Sequence, residues 1–334
     1  MDIKYSIDEK IWKTQEYDYP AAYGFVPNIK GYIHEDNEKH PCMIVVPGGG
    51  YCMVVNCEGE PVAKEFYDAG MNVFILTYTT DITMSVPLHR QPLEDISRAV
   101  RYIRKNSERF HILPNKVIVC GFSAGGHLCA SLCTHHKDIE DMDTGYSDIS
   151  NKPDAAILSY PVITTGEYTH IYSVQTLLGI NPDKEELDYY SLEKHVSKDT
   201  PPCFVWQTVE DDLVPVENSI LFAESLRKNN IKYAYYAFPH GRHGLSAANE
   251  SFEQGDFGEE YTFEQVNLAI KNVKDNTAIN VSTERREELL KQFGIDDEVG
   301  DINPETPEEK MIIYDDVKLW PNLAKIWLKE ILSI

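Results

Sequence analysis

The sequence is poor in basic residues and has no long apolar run. Its 334 residues include 31 Lys or Arg against 54 Asp or Glu, a formal net charge of −23. A strongly acidic surface repels phosphate, so the composition argues against nucleic-acid binding and against adhesion to an anionic membrane. No apolar stretch approaches the roughly 20 residues that span a bilayer. Hydrophobic residues still make up 42% of the chain, which excludes disorder throughout and suffices for a folded core.

Paired redox and metal-binding motifs are also missing. The seven cysteines are odd in number and none forms a Cys-x-x-Cys pair. The eleven histidines include no His-Glu-x-x-His motif, and no dinucleotide or phosphate-binding fingerprint occurs. The first residues lack the basic start and apolar stretch of a secretory signal. We therefore expect a reduced, cytoplasmic protein that uses no metal and no cofactor.

Short β-branched runs alternate with helical patterns along most of the chain. This alternation predicts an α/β fold with a mostly parallel central sheet and helices on both faces. The predicted strands are Met43–Val46, Val73–Tyr78, Lys116–Cys120, Ala155–Ser159, Cys203–Thr208 and Tyr233–Phe238. The predicted helices are Val62–Ala69, Pro92–Lys105, Gly125–His135, Glu217–Lys228 and Leu319–Leu332. The segment from Tyr5 to Ile33 is expected to add an edge or hairpin.

Two stretches interrupt the alternation, and each follows a predicted strand. We therefore predict one domain over residues 1–334, with loop insertions at about 162–202 and 250–310. The first insertion contains a predicted short helix, Tyr172–Leu178. The second is strongly acidic, with 17 Asp or Glu against 6 Lys or Arg.

A Gly-x-Ser-x-Gly motif, Gly121 to Gly125, stands between a predicted strand and a predicted helix. A serine on such a sharp turn has a strained backbone, and the glycines leave room for it. Ser123 would then lie at a helix amino terminus, where the Ala124 amide can stabilise negative charge on a carbonyl oxygen. Three glycines also follow the first predicted strand, Gly48 to Gly50, and their amides can approach a substrate oxygen. The pattern predicts a serine nucleophile beside an oxyanion site.

A serine nucleophile needs a base and an orienting acid, which follow in the order Ser, Asp, His in sheets of this kind. Three acids, residues 210–212, follow the strand Cys203–Thr208, at the strand end where such sheets carry function. His243 lies in a tight loop between Gly241 and Gly244, which favours a side chain aimed into a cleft. The competing histidines are expected to be satisfied surface residues: His240, His127, His135 and His136.

Taken together, these motifs resemble the α/β-hydrolase esterases related to acetyl xylan esterases, and more distantly the hormone-sensitive-lipase group. The resemblance rests on Val46-Pro-Gly-Gly-Gly-Tyr51, Glu58-Gly-Glu-Pro-Val-Ala63, Gly121-Phe-Ser-Ala-Gly-Gly-His-Leu128, Asp211-Asp-Leu-Val-Pro215 and Gly241-Arg-His-Gly244. These motifs, the predicted helical match from Asp95 to Arg104 and shorter matches cover about Pro41 to Ala247 and the final helix. The resemblance implies the α/β-hydrolase fold.

The resemblance also implies site residues, position by position. It assigns Ser123 as nucleophile, His243 as base, Asp211 as orienting acid, and Gly49, Gly50 and Ala124 as amide donors to the oxyanion. It implies that Tyr51 borders the acyl or leaving-group pocket. Asp212 would be a neighbour of the acid, although a one-residue shift in the loop would exchange it with Asp211.

The implied activity is hydrolysis of short-chain esters, with an acetylated xylo- or related oligosaccharide as the small-molecule substrate. Nucleic acid and membrane are not expected as partners, and the sequence allows a homo-oligomer. A carboxylesterase for aryl or feruloyl esters is the alternative within the enzyme class, ahead of a peptidase. A binding protein without catalysis is a more remote alternative, because it would be expected to have lost a triad residue.

The acidic second insertion begins only seven residues after His243. Its apolar spacing fits an amphipathic helix through Tyr261, Val266 and Ile270, and a second helix at Thr283–Phe293. The favoured interpretation is a solvated loop excursion. The alternative hypothesis is that the insertion folds over the catalytic mouth or contacts a partner subunit.

Overall fold

A computed structural model describes residues 4–15, 17–294 and 314–333 of the chain. Within these residues one sheet contains the following strands: β1 Ile7–Lys10, β2 Asn28–Tyr32, β3 His40–Val46, β4 Asn72–Thr77, β5 Ile112–Phe122, β6 Ala155–Ser159, β7 Cys203–Thr208 and β8 Tyr233–Phe238. Their order across the sheet is β1-β2-β4-β3-β5-β6-β7-β8. The pairs from β4 to β8 are parallel. The mostly parallel sheet predicted from the sequence is therefore confirmed.

The amino-terminal segment forms the antiparallel edge of the sheet. β1 pairs antiparallel with β2, and β2 pairs antiparallel with β4. The predicted edge or hairpin before the first parallel strand is therefore confirmed. β5 begins four residues earlier than predicted, because its first residues pair with His40 across an irregularity in the register of β3.

Helices cover both faces of the sheet. They are α1 Glu60–Tyr67, α2 Gln91–Lys105, α3 Ser123–His135, α4 Ile171–Leu178, α5 Lys184–Tyr189, α6 Glu217–Lys228, α7 Glu250–Gln254, α8 Glu264–Lys274, α9 Thr283–Gln292 and α10 Trp320–Leu332. Short 3₁₀ helices lie at Pro20–Ala22, Asn56–Glu58, Leu192–Lys194, Glu260–Phe263 and Val317–Leu319. The five helices predicted outside the insertions all occur, with ends that differ by at most a few residues.

The strand side chains alternate between two apolar cores. Ile44 and Val46 pack with α2, α3 and α6 on one face, whereas Met43 and Val45 pack with α1 and α10 on the other. This alternation follows from the two-residue period of a strand. Because both faces are covered, the central strands are apolar throughout, as parallel strands require. The functional loops consequently lie at the carboxyl ends of the parallel strands, which the helices leave uncovered.

The described part of the acidic second insertion, residues 250–294, is folded. Apolar side chains of α8 and α9 form a small core with Ile82, a residue of the loop after β4. Buried Gln265 on α8 bonds the backbone of Thr80, accepting from its amide at 2.9 Å and donating to its carbonyl oxygen. The favoured expectation of a solvated excursion is therefore wrong for this part. Residues 295–310 of the predicted insertion lie outside the described residues.

The first insertion contains one predicted helix and one that was not predicted. The predicted helix is α4, which begins one residue earlier than expected. The additional helix is α5, whose amino terminus carries a capping box between Asp183 and Glu186. The sequence signal for α5 is therefore this Asp-x-x-Glu spacing, since its face has no buried residue and hence no apolar stripe.

Candidate active site

Ser123 occupies the sharp turn between β5 and α3. Its φ of 51° lies in the left-handed region that a side-chain-bearing residue seldom adopts. The flanking glycines are needed for this turn. A Cβ on Gly121 would lie 2.6 Å from the Sγ atom of Cys129, and one on Gly125 would overlap the carbonyl oxygen of Val46. The Gly-x-Ser-x-Gly spacing is thus explained by close packing of the turn against α3 and the end of β3.

His243 connects Ser123 to Asp211. Its Nε2 atom lies 2.8 Å from the Oγ atom of Ser123, and its Nδ1 atom lies 2.8 Å from Oδ2 of Asp211. Since an ionised carboxylate only accepts, Nδ1 donates to Asp211 and Nε2 is left to accept from the serine hydroxyl. The histidine loop turns at Gly241 and Gly244, which have φ values of 124° and 85°. The arrangement can move a proton from the serine hydroxyl to the imidazole.

Asp211, rather than Asp212, faces the imidazole ring. The Asp211 side chain is fully buried, and its Oδ1 atom accepts from the amides of Leu213 and Val214 at 3.0 and 2.8 Å. Its Oδ2 atom also accepts from Gln207 at 3.1 Å. Asp212 instead accepts from the backbone amide of His243 at 3.1 Å. The two acids therefore hold different parts of one residue, the ring and the backbone.

The glycine loop after β3 lies directly against the serine. A Cβ on Gly48 would lie 2.9 Å from the Cβ atom of Ser123, so this position requires glycine. The Gly48 amide already donates to Glu58 Oε2 at 2.6 Å. Within the described residues, no acceptor contacts the amides of Gly49 and Gly50. These two amides and that of Ala124, in the first turn of α3, are thus available to a substrate oxygen.

Tyr51 follows the glycine loop and is buried. Its hydroxyl group lies 2.8 Å from Nδ1 of His127, and Nε2 of His127 lies 3.1 Å from the carbonyl oxygen of Tyr190. Burial lowers the pKa of His127 to about 4. The expectation of a surface His127 is therefore wrong. Tyr51 borders a small cavity with His127, Val162, Thr164, Thr165, Ser173, Val174, Leu177, Leu178 and Tyr190. Its role toward a substrate stays a prediction.

The other competing histidines lie away from the serine's contacts. His240 is half-exposed and pairs with Glu210 at 3.0 Å on the surface. His135 is buried, contrary to expectation, and its Nε2 atom lies 2.9 Å from the carbonyl oxygen of Tyr189. His136 is half-buried beside the carbonyl oxygen of Cys133. Of the predicted candidates, the structure brings only His243 within hydrogen-bond distance of Ser123.

Two residues near the site were not predicted to have a role. Glu58 is buried and its pKa is raised by burial. His170, in the first insertion, is also buried and bonds Ser173 at 2.8 Å. Burial and the charge of His243 lower the pKa of His170 to about 4. Glu58 stands in a motif that carries the family resemblance, whereas His170 follows no recognisable pattern.

The described residues contain neither a metal cluster nor a membrane-spanning helix. No three His, Cys, Asp or Glu side chains among them are arranged to hold a metal ion. None of the described helices has both the length and the apolar composition needed to cross a bilayer. All seven cysteines are described and are free thiols, and five of them are buried.

The chain is similar to curated xylan-related proteins and to one sequence family. The profile of the BD-FAE family matches residues 32–226. A Butyrivibrio fibrisolvens protein called endo-1,4-beta-xylanase B is 60% identical over 257 residues, which cover 77% of this chain and 40% of that protein. An acetylxylan esterase from Xylanibacter ruminicola is 30% identical over 219 residues, which cover 63% of this chain and 42% of the relative. The chain thus spans about two fifths of these relatives.

Solved structures have the same fold. An acetyl ester-xyloside bifunctional hydrolase from Caldicellulosiruptor lactoaceticus is 34% identical, with a TM-score of 0.68 over 83% of this chain and 98% of that chain. A carboxylesterase from Lactobacillus plantarum is 22% identical, with a TM-score of 0.67 over 99% of this chain and 98% of that chain. The second likeness concerns the fold alone. The predicted fold class is confirmed by these structures.

Proposed function

The chain belongs to the BD-FAE family of α/β-hydrolases, and on that basis we propose that it is a serine esterase acting on short-chain esters. The observation that carries the proposal is the pair of 2.8 Å contacts that joins Ser123, His243 and Asp211. Such a relay serves nucleophilic catalysis of acyl transfer. The free glycine amides beside it suit the oxyanion that this chemistry creates.

The proposed reaction proceeds in two halves. His243 takes the hydroxyl proton of Ser123 as the serine oxygen attacks the ester carbonyl carbon, and Asp211 stabilises the resulting imidazolium. The amides of Gly49, Gly50 and Ala124 bind the oxyanion, and His243 then protonates the departing alcohol. Water, deprotonated by the same histidine, attacks the acyl-enzyme, and His243 returns that proton to the serine oxygen as the carboxylic acid is released.

We propose an acetylated xylo- or related oligosaccharide as the substrate. The proposal draws on two similar proteins, one called an acetylxylan esterase and the other an acetyl ester-xyloside bifunctional hydrolase. Aryl or feruloyl esters are the alternative substrates. The free cysteines are compatible with a reducing, cytoplasmic location, where imported oligosaccharides would be the substrate.

The name of the most identical of these relatives suggests glycoside hydrolysis as a second candidate. Glycosidases need two carboxyl groups that flank the scissile bond. The two buried carboxyl groups at this site are occupied by protein donors, Asp211 by backbone amides and Glu58 by Gly48 and Tyr160, and neither can flank a glycosidic bond. Ester hydrolysis is therefore favoured over glycoside hydrolysis at this site.

The proposal is tested with purified protein and three classes of substrate: acetylated xylo-oligosaccharides, a feruloyl ester and unsubstituted xylo-oligosaccharides. We expect acetate release from the first class and no chain cleavage of the third. Ser123→Ala should abolish acetate release, because no other nucleophile replaces the serine oxygen. Full activity of this variant would refute the serine mechanism, and turnover of feruloyl but not acetyl esters would refute the substrate. Mass in solution tests the homo-oligomer, which stays a prediction.

A further inference from the structure

A buried carboxylate lies behind the candidate site without a cationic partner. Glu58 is only 3% exposed, and no Lys, Arg or His side chain of the described residues forms an ion pair with it, although the charge of nearby His243 partly offsets the rise in its pKa that burial causes. Its Oε2 atom accepts from the Gly48 amide at 2.6 Å, and its Oε1 atom accepts from the Tyr160 hydroxyl at 2.7 Å. An unpaired buried acid is costly for a fold, so its two contacts call for a functional explanation.

The first contact fixes the glycine loop. Gly48 packs against Ser123 so closely that no side chain fits between them. The Gly48 amide is held by Glu58, so it points away from any substrate oxygen, while the next two amides remain free. The carboxylate thereby determines which amides of the loop face the reacting carbonyl.

The second contact reaches the histidine loop through Tyr160. The Tyr160 hydroxyl oxygen accepts from the Ser246 amide at 2.9 Å, three residues after His243. The Tyr160 ring packs edge-on against the His243 imidazole, with centroids 4.8 Å apart. Ser246 also donates through its hydroxyl to the carbonyl oxygen of Cys57 at 2.6 Å, next to Glu58 in the chain. The histidine loop is therefore held at Ser246 by two connections: one runs from Glu58 through the Tyr160 hydroxyl, and the other comes directly from the Cys57 carbonyl oxygen.

Two of these residues have strained backbones, which indicates that the surrounding contacts determine their conformation. Tyr160 and Ser246 have φ values of 37° and 49°, in the left-handed region. Both are buried. Without the Glu58 carboxylate, the Tyr160 hydroxyl would lose its acceptor and the strained turn would lose the contact that fixes the tyrosine ring beside His243.

We propose that Glu58 is a positioning residue for ester hydrolysis, which holds the oxyanion amides and the His243 imidazole in register with Ser123. This inference rests on the proposed function. Glu58 does not touch the reacting atoms; it acts through Gly48 on one side and through Tyr160 on the other. The binding of substrate should depend little on it, whereas the transition state, which needs the oxyanion donors and the imidazole together, should depend on it strongly.

Glu58→Gln tests the inference, because an amide has the same shape but one acceptor oxygen for two donors. We expect kcat for a chromogenic acetate to fall about 10- to 100-fold with KM within about twofold, since small displacements of catalytic groups cost that much. Glu60→Gln, a half-buried acid two residues further on, is the matched control and should keep wild-type kinetics. A folded Glu58→Gln enzyme with wild-type kcat would overturn the inference.

Tyr160→Phe tests the same network without touching the carboxylate. It removes one donor to Glu58 and one acceptor for Ser246, so kcat should fall about tenfold with KM unchanged. In the variant that combines Glu58→Gln with Tyr160→Phe, the fold-decrease in kcat should be smaller than the product of the two single decreases. If Glu58→Gln fails to fold, wild-type kinetics of Tyr160→Phe overturn the inference. Activity retained by Ser123→Ala would instead refute the proposed function itself.

Discussion

Asp211→Asn should lower kcat by about 10⁴, whereas Asp212→Asn should lower it by no more than about fivefold. The amides of Leu213 and Val214 both donate to Oδ1 of Asp211. In the Asn variant these donors would hold the side-chain oxygen in that position and turn the NH₂ group toward Nδ1 of His243. Two donors cannot face each other, so the imidazole proton would move to Nε2, which then could not accept from Ser123.

The expected difference between the two variants follows from their contacts. A wrong imidazole tautomer costs about 10⁴ in turnover, which corresponds to about 5 kcal/mol of transition-state stabilisation. Asp212 contributes one hydrogen bond, to the backbone amide of His243 at 3.1 Å. Asn keeps an acceptor oxygen for this amide, and even the complete loss of such a bond would cost only about 1 kcal/mol, or about fivefold. About three orders of magnitude should therefore separate the two variants.

The assay is steady-state hydrolysis of a chromogenic acetate, together with a thermal melt that verifies folding. Glu210→Gln is the matched control in the same loop, because its half-exposed carboxylate pairs with His240 on the surface. It should keep kcat within about twofold, since exposed pairs contribute little. A greater loss for Asp212→Asn than for Asp211→Asn would refute the assignment of Asp211 as the orienting acid.

Three further predictions concern stability. Burial lowers the pKa of His127 to about 4, so the free energy of unfolding should fall as pH drops below about 6.5, by about 2 kcal/mol at about pH 5. In urea unfolding, His127→Gln should remove this part of the pH dependence. An unchanged dependence of the unfolding free energy on pH would contradict the prediction. Gly125→Ala would overlap the carbonyl oxygens of Val46 and Pro47 at the end of β3 and should yield no folded protein; a cooperative melt at the wild-type temperature would be inconsistent with this. Gln265→Leu would leave the amide and the carbonyl oxygen of Thr80 without their hydrogen-bond partner and should lower the free energy of unfolding by about 2 to 4 kcal/mol in the same assay. The control is Gln254→Leu, at an exposed position of α7, which should not show this loss.

Most of the fold was predictable because its patterns are local. β6, β7, β8 and α6 have the bounds that the sequence predicts, since an apolar strand between turn residues or an apolar stripe on a helix is visible in a short window. The edge strand β1 was less visible, because its exposed and half-buried residues leave no apolar run. α5 was not predicted for the same reason, although its capping box marks its start.

The site was predictable only as far as motifs describe it. The serine motif predicts Ser123, the glycine-flanked loop favours His243 and the family resemblance implies Asp211; the structure brings the three side chains together. The contact between Glu58 and Tyr160 joins residues 102 positions apart, so no local pattern could indicate it. The contact of Gln265 with Thr80 spans 185 positions, and the sequence therefore suggested a solvated insertion where the described part is packed.

The position of Trp320 has a consequence for the order in which the site can form during synthesis. Trp320, the first residue of α10, donates to the carbonyl oxygen of Ser246 at 3.0 Å, and its ring packs against Phe122. It therefore supports both the histidine loop and the residue that precedes Ser123. Since a ribosome makes the chain from its amino terminus, Ser123 emerges roughly 200 residues before this support exists. In a nascent chain, the histidine loop and the serine turn would consequently lack their shared support until α10 has docked.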